Sequence, residues 1–226
     1  MPEFHIRGEV LPEDADFILE AFDSTQPHLA SIGSGTQWGT EPMSKRDGSA
    51  ERIRSAVEKA RSGSSDKYAI FIAEVHVDDG IDAGTGRIRI DRPNLQLLQV
   101  GAAIVHQGSF PDYVAKQQHL DALVCEATER ADYLYLYALV SDYRTGSMRK
   151  GAGAVLAQRV RDYAQEKGKA VVYVDCWAGN GEKLVEFYKS QGFVPVGGYD
   201  LKKDDGTIWP GKLLRMDIEP STSREE

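Results

Sequence analysis

Apolar residues along the 226-residue chain recur with two periods, one typical of strands and one typical of helices. Continuous apolar runs predict four buried strands, at 68–77, 96–106, 133–140 and 170–177. Shorter or alternating patterns predict further strands at 4–10, 87–90, 195–201 and 213–218. Helical spacing predicts helices starting at Pro12 and running through Phe22, at 50–61, within 110–131, from Gly151 to Lys167, and at 182–191. The order of these elements predicts one mixed α/β sheet with helices on both faces.

The segments between these elements are rich in Gly, Ser, Asp and Pro. Residues 24–48 are predicted to form a long loop. Asp78-Asp79-Gly80 and Asp204-Asp205-Gly206 lack the ligand ladder of a calcium loop and are predicted to be turns. Because no linker separates two apolar cores, we expect a single domain over residues 1–220, followed by a disordered tail at 221–226.

Charge and composition narrow the function classes. The net charge of −8 argues against wholesale binding of nucleic acid or of an anionic membrane. No apolar run approaches the roughly 18 residues that span a bilayer, and the first residues do not resemble a signal peptide. Cys125 and Cys176 are too few and too far apart for a disulfide framework or a zinc site. We therefore expect a cytoplasmic protein, as a monomer or homodimer.

Glycines are concentrated where the helix after strand 133–140 begins. The turn 141–150 carries Arg144, Arg149 and Lys150, and Gly151-Ala152-Gly153-Ala154 opens the helix. Unobstructed backbone N–H groups at a helix start, flanked by basic side chains, predict an anion site. The plainer alternative is a strand–helix connection that uses glycine for close packing.

Two common nucleotide motifs are excluded at this helix start. Ala152-Gly153 stands where a P-loop requires Lys followed by Ser or Thr. The third glycine of the dinucleotide fingerprint is also missing, since Leu156 or Ala157 stands near its place. Nucleotide hydrolysis and nicotinamide binding are both disfavoured.

A second motif lies downstream and carries a family resemblance. Asp175-Cys176-Trp177-Ala178-Gly179-Asn180 is followed by Phe187-Tyr188 and then by Gly192-Phe193. Together with the glycine-rich helix start, this pattern resembles the GNAT superfamily of acyl-CoA N-acyltransferases over essentially residues 1–220. The chain departs from the family in the loop, where Met148 stands in place of the usual Gln or Arg. The resemblance implies a largely antiparallel sheet of about seven strands, splayed between the fourth and fifth.

The resemblance also implies acetyl-CoA as the acyl donor. The amides of Gly151, Ala152, Gly153 and Ala154 would hold its diphosphate, with Arg149 and Lys150 preferred over Arg144 as the basic partners. The backbone of Leu139 and Val140 would pair with the pantetheine arm. Asn180 lies one position from a CoA-contacting Asn of the family.

Catalytic and acceptor residues follow from the same resemblance. Tyr188 stands where the family places its general acid, and the alternative is a tyrosine that only packs in the core. Candidates for the base are Asp175, Glu74 and Glu126, or a water chain, with Asp175 best placed and a loop-capping role its alternative. Gln37, Trp38 and Trp177 are predicted to line an acceptor pocket, although Trp38 could equally pack down the long loop.

The expected activity is acetyl transfer to a primary amine of a small molecule. A peptide or protein N-acetyltransferase and a non-catalytic acyl-CoA sensor are the alternatives. No metal site is predicted, because no metal-ligand or Ser/His/Asp spacing is formed by the five histidines His5, His28, His76, His106 and His119.

Overall fold

The strands found among the described residues form one mixed, mostly antiparallel sheet of eight. The computed structural model describes residues 2–63, 67–78, 86–92, 95–203 and 206–219. The strands are β1 (Phe4–Arg7), β2 (Tyr68–Val77), β3 (Ile88–Arg92), β4 (Leu95–Gln107), β5 (Tyr133–Ser141), β6 (Val171–Trp177), β7 (Val194–Lys202) and β8 (Ile208–Asp217). The predicted fold class is confirmed, and the short basic strand β3, which pairs with β4 outside the main strand order, makes the count eight.

In the described part of the chain, six α-helices accompany the sheet. They are α1 (Asp14–Ser31), α2 (Ser49–Ser62), α3 (Asp112–Ala115), α4 (Asp121–Arg130), α5 (Ala152–Glu166) and α6 (Lys183–Ser190). The predicted turns at Asp79-Gly80 and Asp204-Asp205 and the predicted tail 221–226 lie outside the described residues. Within the described residues, no helix combines the length and the apolar character needed to cross a membrane.

The chain packs as two compact units. The first contains Met1–Ile104 and Ala138–Arg159, and the second contains Val105–Tyr137 and Val160–Glu226. A single domain over residues 1–220 therefore stays a prediction, and each unit is described by itself.

The first unit builds its core from α1, α2 and one end of the sheet. β1 pairs antiparallel with β2, and β3 pairs antiparallel with β4. Phe17 and Ile18 of α1 are fully buried, and Ile53 and Val57 of α2 are 5% and 2% exposed. Both helices present an apolar face at helical spacing, as their sequence predicts, and burial of these faces supplies most of the helix stability.

Helix α1 is longer than its sequence predicts. The prediction began a loop at residue 24, but the helix continues through Pro27 to Ser31. An internal proline removes one backbone hydrogen bond and normally ends a helix. Here the last turns are stabilised by tertiary contacts, because the Ser24 hydroxyl accepts a hydrogen bond from Tyr143 N and the His28 ring stacks on the Tyr143 ring with centroids 4.5 Å apart.

A buried ion cluster joins α1 to the strands of the first unit. Arg7 of β1 donates to both carboxylate oxygens of Asp14, at the start of α1, and to Glu74 of β2. Glu74 also accepts two hydrogen bonds from Arg89 of β3, at 3.0 and 2.9 Å. The side chains of Asp14 and Glu74 are 0% exposed. Buried charges are tolerated when they are paired and hydrogen-bonded in this way.

The second unit has the strand order β5-β6-β8-β7. β5 and β6 are parallel, whereas β8 runs antiparallel to both β6 and β7. One of its apolar clusters is aromatic and includes Phe110, Tyr133, Tyr135, Tyr173 and Tyr199. The parallel register of β5 with β6 covers Tyr133–Leu136 and Val171–Val174, and both strands continue past it. The splay beyond this register stays a prediction.

Candidate active site

The glycine-rich helix start lies in the first unit, directly after β5. Two short 3₁₀ turns, separated by a kink at Gly146, cover Tyr143–Arg149, and Gly151 takes the left-handed conformation with φ of 98°. The N–H groups of Ala154 and Val155 both donate to the Gly151 carbonyl, at 3.1 and 3.2 Å. The amides of Gly151, Ala152 and Gly153 precede these first intrahelical donors, whereas the Ala154 amide, also predicted to hold an anion, is already engaged. A helix start of this form presents its first amides to an anion.

Of the three basic residues near this helix start, Arg144 is held by carboxylates. Its guanidinium lies 2.7 Å from Asp142 and 2.7 Å from Glu20. Arg87 also pairs with Glu20, and hydrogen bonds from Arg87 and Arg144 lower the pKa of Glu20 to about 2. Arg144 therefore has two fixed carboxylate partners at neutral pH.

Arg149 occupies a different environment. Its guanidinium lies 3.5 Å from the centroid of the Tyr143 ring, which in turn stacks on His28. Its buried Nε has no hydrogen-bond partner among the described residues. No described carboxylate pairs with Arg149 or Lys150, so these two cations remain available for an anion.

β4 closely approaches both the end of β5 and the start of α5 at Gly101. A Cβ on Gly101 of β4 would lie 2.8 Å from the Val140 carbonyl oxygen and 3.4 Å from Ala152 Cβ. Only glycine fits this spacing without a shift of the backbone. Along β5, Val140 is buried, Leu139 is half-buried and Tyr137 is 43% exposed.

Tyr188 lies in the second unit, on α6. Its side chain is 5% exposed and makes edge-on ring contacts with Phe187 and Phe193. Burial raises the pKa of Tyr188, and the nearby Cys176 and Asp175 add to the shift. The phenol therefore keeps its proton at neutral pH. No described residue forms a hydrogen bond with its hydroxyl.

Asp175 of β6 sits within a group of phenols. Tyr135 and Tyr199 donate to its carboxylate at 2.5 and 2.7 Å, and Tyr113 lies 3.2 Å from both oxygens. Burial raises the pKa of Asp175, and the three phenol hydrogen bonds oppose that shift without cancelling it. Because side chains alternate along a strand, Asp175 and Cys176 face opposite sides of the sheet.

Trp177 ends β6, and Asn180 lies in the loop that follows. The Trp177 ring covers Gly179 so closely that a Cβ there would lie 2.0 Å from the ring, which requires glycine. Trp177 is 6% exposed, and its indole N–H has no partner among the described residues. Asn180, Gly181 and Glu182 are all left-handed, with φ of 51°, 66° and 59°. Asn tolerates this conformation better than most residues, and Glu182 is held by an ion pair with Lys212.

Gln37 and Trp38 are half-buried in the first unit. The Trp38 ring packs edge-on against Phe22 of α1, with centroids 5.4 Å apart. The Trp38 carbonyl accepts a hydrogen bond from Arg46. These contacts favour the packing role of Trp38, and the acceptor-pocket role stays a prediction.

The other two candidates for the general base form ion pairs with arginines. Glu74 is enclosed by Arg7 and Arg89, as described above. Glu126 is 72% exposed and lies 3.6 Å from Arg130 on the same helix. Asp175 is therefore the candidate whose carboxylate is neither paired with a cation nor fully exposed.

Two groups around these residues are invisible to sequence periodicity. The three phenols around Asp175 come from α3, β5 and β7, more than 20 residues apart along the chain. The stack of His28, Tyr143 and Arg149 requires the extended end of α1. The sequence signal that could have indicated the phenol group was the run of tyrosines in β5. Tyr133 and Tyr135 lie on the same face of the sheet as the buried β6 residues with which they pair.

The two cysteines differ in environment, and a thiol titration should show it. Cys125 is exposed, whereas Cys176 is buried and burial raises its pKa to about 12. Because the thiolate is the nucleophile, we expect Ellman's reagent to react with one thiol per native chain, and with the second at least roughly a hundredfold more slowly. Cys125→Ser should abolish the fast phase. Two thiols of equal rate in the native protein would contradict this.

Within the described residues, no group of three or more His, Cys, Asp or Glu side chains is arranged to hold a metal ion.

We compared the chain with known proteins by sequence and by structure. No protein-family model and no curated protein sequence matches the chain. Solved structures do match, among them an acetyltransferase of the GNAT family from Desulfovibrio desulfuricans, at 15% identity and a TM-score of 0.57, covering 96% of this chain and 100% of that one.

Two further structures extend the comparison. An acetyltransferase from Salmonella typhimurium, solved with its cofactor acetyl-CoA, matches at 15% identity and a TM-score of 0.56, covering 97% of this chain and 96% of that one. The ribosomal-protein-S18-alanine N-acetyltransferase of Escherichia coli matches at 12% identity and a TM-score of 0.52, covering 99% of both chains. The protein thus has the fold of the GNAT acyl-CoA N-acyltransferases.

Proposed function

We propose that the protein is an N-acetyltransferase that uses acetyl-CoA to acetylate a primary amine of a small molecule. The observation that carries the proposal is the start of α5. There the amides of Gly151, Ala152 and Gly153 precede the first intrahelical donors, next to the basic side chains of Arg149 and Lys150. On this fold, an anion site at that position suits the diphosphate of coenzyme A.

Arg149 is the preferred side chain for the diphosphate. Arg144 would have to leave Asp142 and Glu20 to reach an anion, whereas the buried Arg149 Nε has no described partner to lose. Lys150 is exposed, so its side chain can reorient toward the diphosphate. The backbone of Leu139 and Val140 would accept the amide-rich pantetheine arm as an added strand. Asn180 is proposed as a further residue that contacts coenzyme A.

Proton transfer in the reaction is assigned to Asp175 and Tyr188. The acceptor arrives as an ammonium and gives one proton to Asp175, whose raised pKa makes it a stronger base than an exposed Asp. The neutral nitrogen attacks the thioester carbon, a C–N bond forms and the C–S bond breaks. Tyr188 donates its proton to the departing sulfur and regains the one that the acylated nitrogen loses. One proton finally reaches the solvent.

Calorimetry with acetyl-CoA tests the proposal. We expect the intact protein to bind it, and Arg149→Ala to weaken binding about tenfold or more, because a charge-assisted hydrogen bond contributes about 1.5–3 kcal/mol. Lys150→Ala should have a smaller effect, since that side chain is exposed. Arg61→Ala is the matched control, because Arg61 pairs with Glu58 on the exposed face of α2. An intact chain that binds no acyl-CoA would overturn the proposal.

An amine screen with acetyl-CoA, monitored by thiol release, distinguishes small-molecule acceptors from peptide acceptors. Small primary amines should react faster than peptides with a free N-terminus. The reverse order would make the protein a peptide or protein N-acetyltransferase, and binding of acetyl-CoA without turnover would make it a sensor. The Cys125→Ser variant removes the protein's own fast thiol from this assay.

A further inference from the structure

Asp175 is half-buried, and it differs from the buried carboxylates of the described residues in its lack of a cation. Asp14 pairs with Arg7, Glu74 with Arg7 and Arg89, and Asp142 with Arg144. For Asp175, no described Arg, Lys or His lies within ion-pair distance, and its recorded partners are the hydroxyls of three tyrosines. A half-buried carboxylate without a countercharge has lost part of its hydration, and hydrogen bonds from neutral donors only partly replace it.

The three phenols around Asp175 are not equivalent. Tyr135 and Tyr199 are 1% and 6% exposed, and their hydroxyls lie close to one carboxylate oxygen each. Tyr113 is 40% exposed, belongs to the four-residue helix α3, and lies at the longer distance of 3.2 Å from both oxygens. Of the three, Tyr113 has the least packing to lose if its hydroxyl moves away from the carboxylate.

The rings beside the carboxylate suit a cation as well. The Tyr113 and Tyr199 rings are tilted at 45° with centroids 6.3 Å apart, and Trp209 lies 6.4 Å from Tyr199. A cation within about 6 Å of an aromatic centroid is attracted to the face of the ring. A carboxylate at the base of such a group supplies the opposite charge, while the rings accommodate the carbon chain of an alkylamine.

We propose that Asp175, Tyr113 and Tyr199 form a binding site for an alkylammonium group, in which the ammonium displaces the Tyr113 hydroxyl from the Asp175 carboxylate. The identification of this ammonium with the acceptor amine rests on the proposed function, whereas the binding site itself does not. The site selects a cationic aliphatic amine over a neutral or anionic acceptor, and it holds that amine at the carboxylate that takes its proton.

The site is tested by binding, without acetyl-CoA. We expect calorimetry or ligand-observed NMR to show that 1-aminobutane, charged at pH 7, binds at least tenfold more tightly than 1-butanol. Asp175→Asn should remove this preference. Asp112→Asn is the matched control, because Asp112 is 91% exposed and pairs with Lys116.

Tyr113 gives a second, independent readout. Tyr113→Phe keeps the ring and removes the hydroxyl that competes with the ligand, so affinity for 1-aminobutane should be unchanged or rise a few-fold. Tyr113→Ala removes the ring and should lower affinity several-fold. A purely structural role of the phenol group predicts no difference between these variants, and this comparison decides the matter if Asp175→Asn does not fold.

The outcomes separate the two proposals. Equal binding of 1-aminobutane and 1-butanol by the intact protein overturns the ammonium site. Selective binding of 1-aminobutane by a protein that transfers no acetyl group supports the ammonium site and overturns the proposed function alone.

Discussion

Tyr188→Phe should lower kcat by about 10²–10⁴-fold, the range expected when a positioned proton donor is lost. The phenol is buried, keeps its proton because burial raises its pKa, and has no hydrogen-bond partner among the described residues. Its hydroxyl is therefore free to protonate a departing thiolate. The measurement is the initial rate of thiol release with the best amine of the screen, together with the affinity for acetyl-CoA from calorimetry.

The affinity should change by less than about twofold, because the variant leaves the helix start at Gly151 and the ring contacts with Phe187 and Phe193 in place. Tyr133→Phe is the matched control. It removes another buried hydroxyl from a different cluster of the same unit, beside Phe110, and should leave kcat unchanged. An unaltered rate in Tyr188→Phe would mean that Tyr188 only packs in the core.

Glu74→Ala should lower the free energy of unfolding by about 3–5 kcal/mol, because it breaks two ion pairs of a buried cluster and leaves Arg7 with Asp14 as its remaining carboxylate. Glu74 is 0% exposed and accepts hydrogen bonds from both Arg7 and Arg89. For a chain of this length, the change corresponds to a fall of roughly 6–20 °C in melting temperature. Thermal unfolding followed by circular dichroism measures it.

Glu58→Ala provides the comparison for that experiment. Glu58 also pairs with an arginine, Arg61, but on the exposed face of α2, where an ion pair contributes at most about 1 kcal/mol. Its melting temperature should therefore stay within a few degrees of the parent protein. Equal losses in the two variants would show that the ion cluster around Glu74 contributes no more than a surface pair.

Much of the fold follows from local patterns. The apolar runs of β2 and β5 predict their bounds to within a residue, because a buried strand must be apolar at nearly every position. The start of α5 is equally visible, since glycine and basic residues at a helix start are a local feature. α1 is the main error, because the contacts of Ser24 and His28 with Tyr143 outweigh the local signal of Pro27.

The candidate site likewise has a part that local patterns predict and a part that depends on long-range contacts. The local glycine pattern led to Gly151, whereas Tyr188 and Asp175 became candidates through the family resemblance that the neighbouring motifs carry. These motifs left open which basic residue is available to a diphosphate. The structure favours Arg149 and Lys150, because Asp142 and Glu20 come from separate elements to hold Arg144.

By itself, the sequence determined the mixed α/β fold, the order of its elements and the glycine-rich start of α5. These depend on periodicity and on residues close together in the chain. Only the tertiary structure decided what surrounds Asp175. Three phenols from α3, β5 and β7 meet its carboxylate where no described cation does, and such long-range contacts leave no periodic trace in the sequence.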